Sequence, residues 1–228
     1  HRRGRWFNPS RTHHLEIYMK TDLNKLIQNG NEAIKNENWE EGVEIWKEVN
    51  DHIPDNFGIL MNYSACLSKI GKYKESIKTL QKVDKLIPLN PDVFFSMGVC
   101  YEALKDFDNA LESYKKHLKI NKESFDGWIR LALNHRYKKE FQTAINIYIY
   151  LTQNFKAHAG VVIELAATYY ENGETEKAEQ MLLEIIEKRP NTEHARKVLS
   201  RIYHQTGRKE EAIKLEKEEE GNFSFSPE

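Results

Sequence analysis

The amino-acid sequence predicts an all-α fold, a solenoid of helix-turn-helix repeats, and two observations support this prediction. The stretch from Pro91 to Ser124 contains two short segments whose apolar residues recur every three, four or seven positions, the spacing of one helical face. The same pattern returns every 34 residues between residues 23 and 218, with no insertion or deletion. Neither segment can bury its apolar face alone, so we expect successive repeats to stack on one another.

Helix boundaries can be read from the start of this unit. Asn90, Pro91 and Asp92 combine a capping side chain, a proline for the first helical position and an acid for the first turn. The register places repeat starts at residues 23, 57, 91, 125, 159 and 193, and the sixth copy is polar, as a terminal capping copy requires. We therefore divide the chain into a basic N-terminal extension (1–22, a tag or a docking segment), a solenoid (23–218) and a C-terminal tail (219–228).

Small and aromatic residues recur at fixed places in this register. Gly98 and Ala132 stand where first helices must come close to their neighbours, and Ala110 and Ala144 do the same on second helices. Aromatic side chains then fill the spaces between layers. We interpret these residues as structural. His117 and His135 also fall on layer-facing positions and are expected in the core.

Composition limits the function classes. The net charge is −1, which gives no electrostatic reason to expect nucleic acid as a partner. Cys66 and Cys100 lie one repeat apart and indicate buried free thiols in a reducing compartment. No apolar run approaches the length of a membrane span, and the opening residues lack the apolar core of a signal peptide. We expect a cytoplasmic protein without direct membrane insertion, or one that is peripheral on a membrane or organelle surface.

The sequence contains no pattern typical of catalysis. It has no phosphate-binding glycine loop, no nucleophile elbow, no C-x-x-C pair and no helical H-E-x-x-H. His13 and His14 are adjacent but lack a third ligand at helical spacing, so the pattern does not predict a metal site there. We predict that the chain is not an enzyme, that it has no catalytic residues, and that it needs neither a metal nor another cofactor.

The repeat resembles the tetratricopeptide repeat (TPR) family. That family has a large residue, Leu, a small residue and Tyr on the first helix, then an aromatic, Ala and an aromatic on the second, and often a closing Pro. The fourth copy matches with the residues Trp128, Leu131, Ala132, Phe141, Ala144 and Tyr148. The resemblance covers residues 23–218 and implies a right-handed superhelical solenoid. It also implies protein binding, the property common to the family.

By resemblance, the first helices line a concave groove. The groove positions of the family fall here on mostly apolar residues, and the predicted partner-binding set is Met61, Phe95, Val99, Ile129, Leu133, Arg136, Tyr137, Ile163 and Tyr170. A solvated apolar stripe favours binding. The alternative is that these side chains pack against adjacent first helices. A TPR subclass that grips carboxylates is excluded, because Asp92 and Ser96 stand where its cations are required.

These observations predict a protein–protein interaction scaffold or adaptor that binds a partner peptide or helix in the groove. The alternative is a self-assembling homo-oligomeric TPR scaffold that coats a membrane or organelle surface, as magnetosome-associated members of the family do. Residues 1–20 mix aromatic, apolar and basic side chains and carry five basic residues against one acidic residue. We expect Pro9 to keep this segment extended and able to occupy a groove, its own or a neighbour's.

Overall fold

A computed structural model describes residues 9–156 and 159–223; the side chains of residues up to 21 and beyond 217 are not described. In these two ranges the chain forms twelve α-helices and no β-strand. The helices are α1 Pro9–Lys35, α2 Trp39–His52, α3 Phe57–Lys69, α4 Tyr73–Leu86, α5 Pro91–Ala103, α6 Phe107–Ile120, α7 Phe125–Tyr137, α8 Phe141–Asn154, α9 Ala159–Glu171, α10 Thr175–Lys188, α11 Glu193–Gln205 and α12 Lys209–Phe223. Each repeat therefore contributes a first helix with an odd number and a second helix with an even one.

The helix starts follow the capping chemistry of the sequence. The side chain of Asn90 accepts a hydrogen bond from the backbone N–H of Asp92 at 2.9 Å, and Pro91 is the first residue of α5. One repeat earlier Asn56 caps α3, and one repeat later Ser124 caps α7. The predicted start positions 57, 91, 125, 159 and 193 are the first residues of α3, α5, α7, α9 and α11.

The turn from the first to the second helix also repeats every 34 residues. In every copy one turn residue has a positive φ, between +58° and +89°; these residues are Glu37, Gly71, Lys105, Lys139, Gly173 and Gly207. This left-handed conformation ends the first helix and redirects the chain so that the second helix can run back along it. Only three of the six positions have glycine, which adopts the conformation without a steric cost.

Helices α1–α6 form one compact unit and α7–α12 form a second. The core of the first unit has two clusters, one that includes Trp46, Val49 and Leu67 and another that includes Leu80 and Cys100. Both cysteines are free and buried, as the sequence predicts. The second unit has a single larger cluster that extends from α7 to α12.

The small residues lie where helices come close together. A Cβ atom at Gly98 would lie 2.6 Å from Cε1 of Tyr114, so α5 approaches α6 too closely for any side chain at that position. Ala110, Ala132 and Ala144 are completely buried. The structural interpretation of these residues is confirmed. His117 and His135 are also buried, 4% and 7% exposed, in agreement with their predicted core positions.

The two ends of the chain differ from the expectation. Pro9 begins helix α1, so residues 9–22 are helical, and the expected extended conformation is wrong for this part. The physical reason is that proline restricts the residue before it, whereas proline itself is favourable in the first helical turn. Residues 1–8 lie outside the described residues. At the other end α12 continues to Phe223, five residues beyond the expected end of the solenoid, because the glutamates after Lys217 favour a helix.

Among the described residues, no helix combines the length and the apolar character that crossing a membrane requires.

Candidate functional site

In the first unit, Phe95 on α5 is the central residue of the predicted set. Its ring is half-buried and lies against α6, with ring-centroid distances of 5.7 Å to Tyr114 and 5.2 Å to His117. Such aromatic contacts contribute about 0.5–1.5 kcal/mol beyond area burial. Phe95 is therefore held in one orientation and still keeps part of its ring accessible.

The side chains that hold Phe95 are themselves fixed by hydrogen bonds. The Nδ1 atom of His117 lies 2.8 Å from the carbonyl oxygen of Pro91, so this nitrogen carries the proton and donates. The hydroxyl of Tyr114 donates to the carboxylate of Glu102 at 3.0 Å. Together these bonds tie both ends of α5 to α6.

Met61 and Val99 complete the first-unit part of the set. Both side chains are partly buried, and Met61 packs against the cluster that contains Leu60 and Leu80. Met61 therefore contacts the core, and both Met61 and Val99 keep part of their surface exposed.

In the second unit, Ile129, Leu133 and Tyr137 lie along α7. Ile129 and Leu133 are partly buried, and Ile129 packs against the second-unit core. Tyr137 is 52% exposed, which is the largest exposure in the predicted set. Tyr170 on α9 is partly buried against the core. Ile129, Leu133 and Tyr137 are spaced four residues apart and therefore lie along one face of α7, with the exposed phenol of Tyr137 at the end of the helix.

The prediction for Ile163 is wrong. This side chain is 2% exposed and belongs to the second-unit core. In the repeat register it is equivalent to Phe95 and Ile129, which stay partly exposed. Ile163 differs because α9 has buried residues on nearly its whole circumference, from Val161 to Tyr169. A partner that binds the folded protein cannot contact Ile163.

Arg136 is accessible only in part, because it forms ion pairs between α7 and α9. Its Nε and Nη2 atoms each donate to a carboxylate oxygen of Glu171 at 2.8 Å, and Nη1 donates to Glu164 at 2.5 Å. The side chain is 15% exposed. The hydrogen bonds to Glu171 are the main reason why the pKa of Arg136 is raised further above its usual value. The guanidinium is thus neutralised within the chain and is a poor receptor for a partner's carboxylate.

Glu164 and His194 also belong to this charged cluster, and neither is in the partner-binding set that the sequence predicts. Glu164 on α9 bonds to Arg136 through one oxygen, and its other oxygen lies 3.6 Å from Nε2 of His194 on α11. The cluster thus connects the first helices of three consecutive repeats. Arg136 and Glu171 have opposite charges and lie 35 residues apart, which is about one repeat. A search of the sequence for opposite charges at this separation could have found the cluster.

Among the described residues, no group of three side chains of the metal-ligating types lies close enough together to hold a metal ion. His135 instead bonds to a neighbour: its Nδ1 atom lies 2.6 Å from the carboxylate of Glu140. The pKa of Glu140 is lowered, first by the hydrogen bond from Lys138 and then by that from His135.

Comparison with known proteins identifies the family to which the repeats belong. Two models of the tetratricopeptide repeat match the chain, one over residues 136–202 and the other over residues 91–124. The chain therefore contains tetratricopeptide repeats in these two stretches. No curated protein matches its sequence closely enough to count as a relative.

Solved structures extend the similarity over most of the chain. A tetratricopeptide repeat protein from Parabacteroides merdae has a TM-score of 0.78 at 16% identity, over 91% of this chain and 81% of that one. MamA (41-end) from Desulfovibrio magneticus RS-1 has a TM-score of 0.69 at 14% identity, over 75% and 97% of the two chains. YrrB, described as a TPR protein with an unusual peptide-binding site, has a TM-score of 0.62 at 17% identity, over 75% and 88%. These similarities confirm the all-α TPR solenoid fold class.

Proposed function

We propose that the protein is a scaffold for protein–protein interaction and that a peptide segment of a partner binds to the exposed side of its first helices. The observation that carries the proposal is a repeated pair of apolar side chains. Phe95 and Val99 on α5 are equivalent in the register to Ile129 and Leu133 on α7, and all four are partly exposed. Because a few well-held apolar residues supply most of the energy of an interface, the pair on α5 is the expected anchor in the first unit and the pair on α7 is the expected anchor in the second.

The charges next to these anchors indicate the chemistry of the partner. Asp92 and Asp126 are both exposed and occupy the same position of the register, one turn before each apolar pair. Within the second unit, Arg136 cannot compensate Asp126, because its charge is already matched by Glu164 and Glu171. A segment with apolar side chains and flanking lysine or arginine residues therefore fits best.

The test is a selection of binders from a random peptide library with the full chain, followed by measurement of dissociation constants for variants. We expect Phe95→Glu and Leu133→Glu each to weaken binding of the selected peptides at least tenfold, since each places a charge in an apolar contact. Matched controls are Ile120→Glu and Leu183→Glu, which change exposed apolar residues on the second helices α6 and α10. Equal affinities for the anchor variants and the wild type would refute the proposal.

Self-assembly is the second candidate, and the length of α1 favours it. Helix α1 has 27 residues, whereas α3, α5, α7, α9 and α11 each have 13 and α2 has 14. At 1.5 Å per residue, about half of α1 extends beyond the length that α2 can cover. This extra helix offers a surface to another copy of the chain.

Light scattering distinguishes the two candidates. The full chain is compared with a chain that begins at Asp22, the register equivalent of the capping residue Asn56. Oligomers that disappear on truncation would support assembly through the extension. A monomer in both cases would reject this candidate and leave the binding of a foreign segment. We expect no catalytic activity, as the sequence predicts.

A further inference from the structure

Four large apolar side chains are exposed at one end of the first unit. Three of them follow closely along the chain: Leu86 is the last residue of α4, and Ile87 and Leu89 belong to the turn before α5. The fourth is Ile120, the last residue of α6. Leu89 is the most exposed of the four, at 70%, so its side chain adds little to the core. These four residues are called the apolar tip.

A hydrogen bond between α5 and α6 places Ile120 at the same end of the unit as the turn. The Nδ1 atom of His117 lies 2.8 Å from the carbonyl oxygen of Pro91. Pro91 is two residues after Leu89, and Ile120 is three residues, about one helical turn, after His117. The end of α6 therefore lies beside the start of α5 and the turn that precedes it.

The backbone of Leu89 shows that folding alone does not favour a leucine there. Its φ is +62°, a left-handed conformation that is unfavourable for a branched apolar residue. One repeat earlier the equivalent residue is Asp55, with a φ of +58°. Aspartate belongs to the residue types that adopt this conformation more readily. A leucine that is strained and exposed at this position indicates a contact outside the chain.

Exposed lysines surround the apolar tip. Residues 82–92 and 112–120 together contain five lysines and three acidic residues, so the surroundings of the tip have a net positive charge. One of these acids, Glu112, pairs with Lys116 at 3.6 Å. All five lysines are exposed; they are Lys82 and Lys85 on α4 and Lys115, Lys116 and Lys119 on α6.

This combination of apolar and cationic side chains has the chemistry of a membrane-surface site. Apolar side chains that project from a turn can enter the headgroup region of a bilayer, while lysines beside them are attracted by anionic lipids. A nucleic acid would bind the lysines and leave the leucines in water. A second copy in a symmetric contact would bring lysines against lysines, which is unfavourable.

We propose that the first unit docks on an anionic phospholipid surface, with the apolar tip in the headgroup region and the surrounding lysines at the lipid phosphates and carboxylates. The apolar tip shares no residue with the predicted partner-binding set. Docking is therefore independent of whether a peptide binds to the first helices.

The first experiment measures co-sedimentation of the full chain with vesicles. We expect binding to phosphatidylcholine vesicles that contain about 30% phosphatidylserine, and binding at least about tenfold weaker to phosphatidylcholine alone. Lys85→Glu combined with Lys119→Glu should weaken binding to the anionic vesicles at least about tenfold, because two attractive charges become repulsive. The matched control is Lys25→Glu combined with Lys47→Glu, which makes the same change of net charge on α1 and α2 and should have a much smaller effect.

A second pair of variants tests the apolar tip. Leu89→Asn should weaken binding about fivefold or more, since it removes apolar surface that enters the membrane. Asparagine also suits the backbone of this turn, so a loss of binding by this variant does not come from a loss of folding. Leu183→Asn changes an exposed leucine on α10 in the second unit and should bind as the wild type does.

Insertion of the tip is measured with a polarity-sensitive dye attached to Leu89→Cys. Its emission should shift to shorter wavelength when anionic vesicles are added, whereas the same dye on Leu183→Cys should not respond. Cys66 and Cys100 are buried, so the dye reacts at the introduced thiol.

The proposal is overturned if the full chain does not bind anionic vesicles at millimolar lipid. It is also overturned if Leu89→Asn binds as tightly as the wild type or if the dye at position 89 stays in water, because the apolar tip then does not enter the membrane. A full chain that ignores vesicles and sediments as a dimer, and that Leu89→Asn converts to a monomer, would assign the tip to a second copy.

Discussion

Arg136 on α7 and Glu171 on α9 form a bidentate ion pair, with both N–O distances 2.8 Å. The planar guanidinium matches the two carboxylate oxygens, and the third nitrogen is used by Glu164. These bonds connect the first helices of two consecutive repeats inside the second unit. Arg136 belongs to the predicted partner-binding set. This ion pair explains why its charge stabilises the fold and does not bind a partner.

Replacement of Arg136 should therefore affect stability more than binding. We expect Arg136→Ala to lower the free energy of unfolding by about 1.5–3 kcal/mol, the range for hydrogen bonds to charged groups. Arg136→Lys should recover only part of this, since lysine cannot form the bidentate contact. Urea unfolding measures the effect, with Lys119→Ala on the surface of α6 as a control. A loss of peptide affinity without a loss of stability would contradict this role.

Gly98 provides a test of the close packing between α5 and α6. Gly98→Ala should lower the free energy of unfolding by about 1–3 kcal/mol, because its Cβ atom would lie 2.6 Å from the ring of Tyr114. Gly58→Ala on α3 is the matched control. The nearest atom there is 3.5 Å away, so the higher helix propensity of alanine should raise stability by up to about 1 kcal/mol. Similar effects of the two changes would contradict the packing argument.

Leu89 in the turn before α5 is both strained and exposed. Its φ is +62°, and its side chain is 70% exposed. Leu89→Asn should raise the free energy of unfolding by about 0.5–1 kcal/mol, since asparagine adopts this conformation more readily. The control Leu86→Asn changes a 42% exposed leucine within α4 and should destabilise the protein instead. Thermal or urea unfolding of both variants decides the outcome.

The pH dependence of stability should include a contribution from Glu179. Its pKa is lowered, chiefly because Arg208 donates to its carboxylate at 2.6 and 3.0 Å; Tyr203 donates as well. A lowered pKa in the folded state means that the stabilisation is present above the ordinary glutamate value of about 4.3 and is lost as the pH falls through the folded value. Burial, followed by the bond to Glu179, raises the pKa of Tyr203 to about 12, so its hydroxyl stays a donor throughout this range.

The measurement compares urea midpoints of the wild type and Glu179→Gln between about pH 6 and pH 3. The variant should be less stable at the higher pH, and the difference should shrink as the pH falls. A difference that is independent of pH would show that the charge of Glu179 is not the cause.

The sequence determines the fold class to a large extent because the repeat is local and periodic. The first residues of α3 and α5 follow from their asparagine caps, and the burial of Ala132 or His117 follows from position in the register. The site is harder to predict, because one register position has different environments in different copies. Ile163 is buried, although its equivalent Ile129 is partly exposed. Only the packing of α9 against its neighbours explains this difference.

The helical state of residues 9–22 and the cluster around Arg136 also do not follow from local sequence patterns. The helical state of residues 9–22 depends on where Pro9 lies relative to the helix start, and one sequence pattern fits both possibilities. The cluster depends on side chains from α7, α9 and α11 that are far apart along the chain. Contacts of this type follow from the stacking geometry and not from local propensity.

Hydrogen–deuterium exchange of the full chain with and without a selected peptide tests the central claim, that partners bind to the first helices. The account predicts slower amide exchange in α5 and α7, the helices that carry Phe95 and Leu133, and little change in α6 and α8. Protection confined to the second helices α6 and α8, with α5 and α7 unchanged, would contradict it.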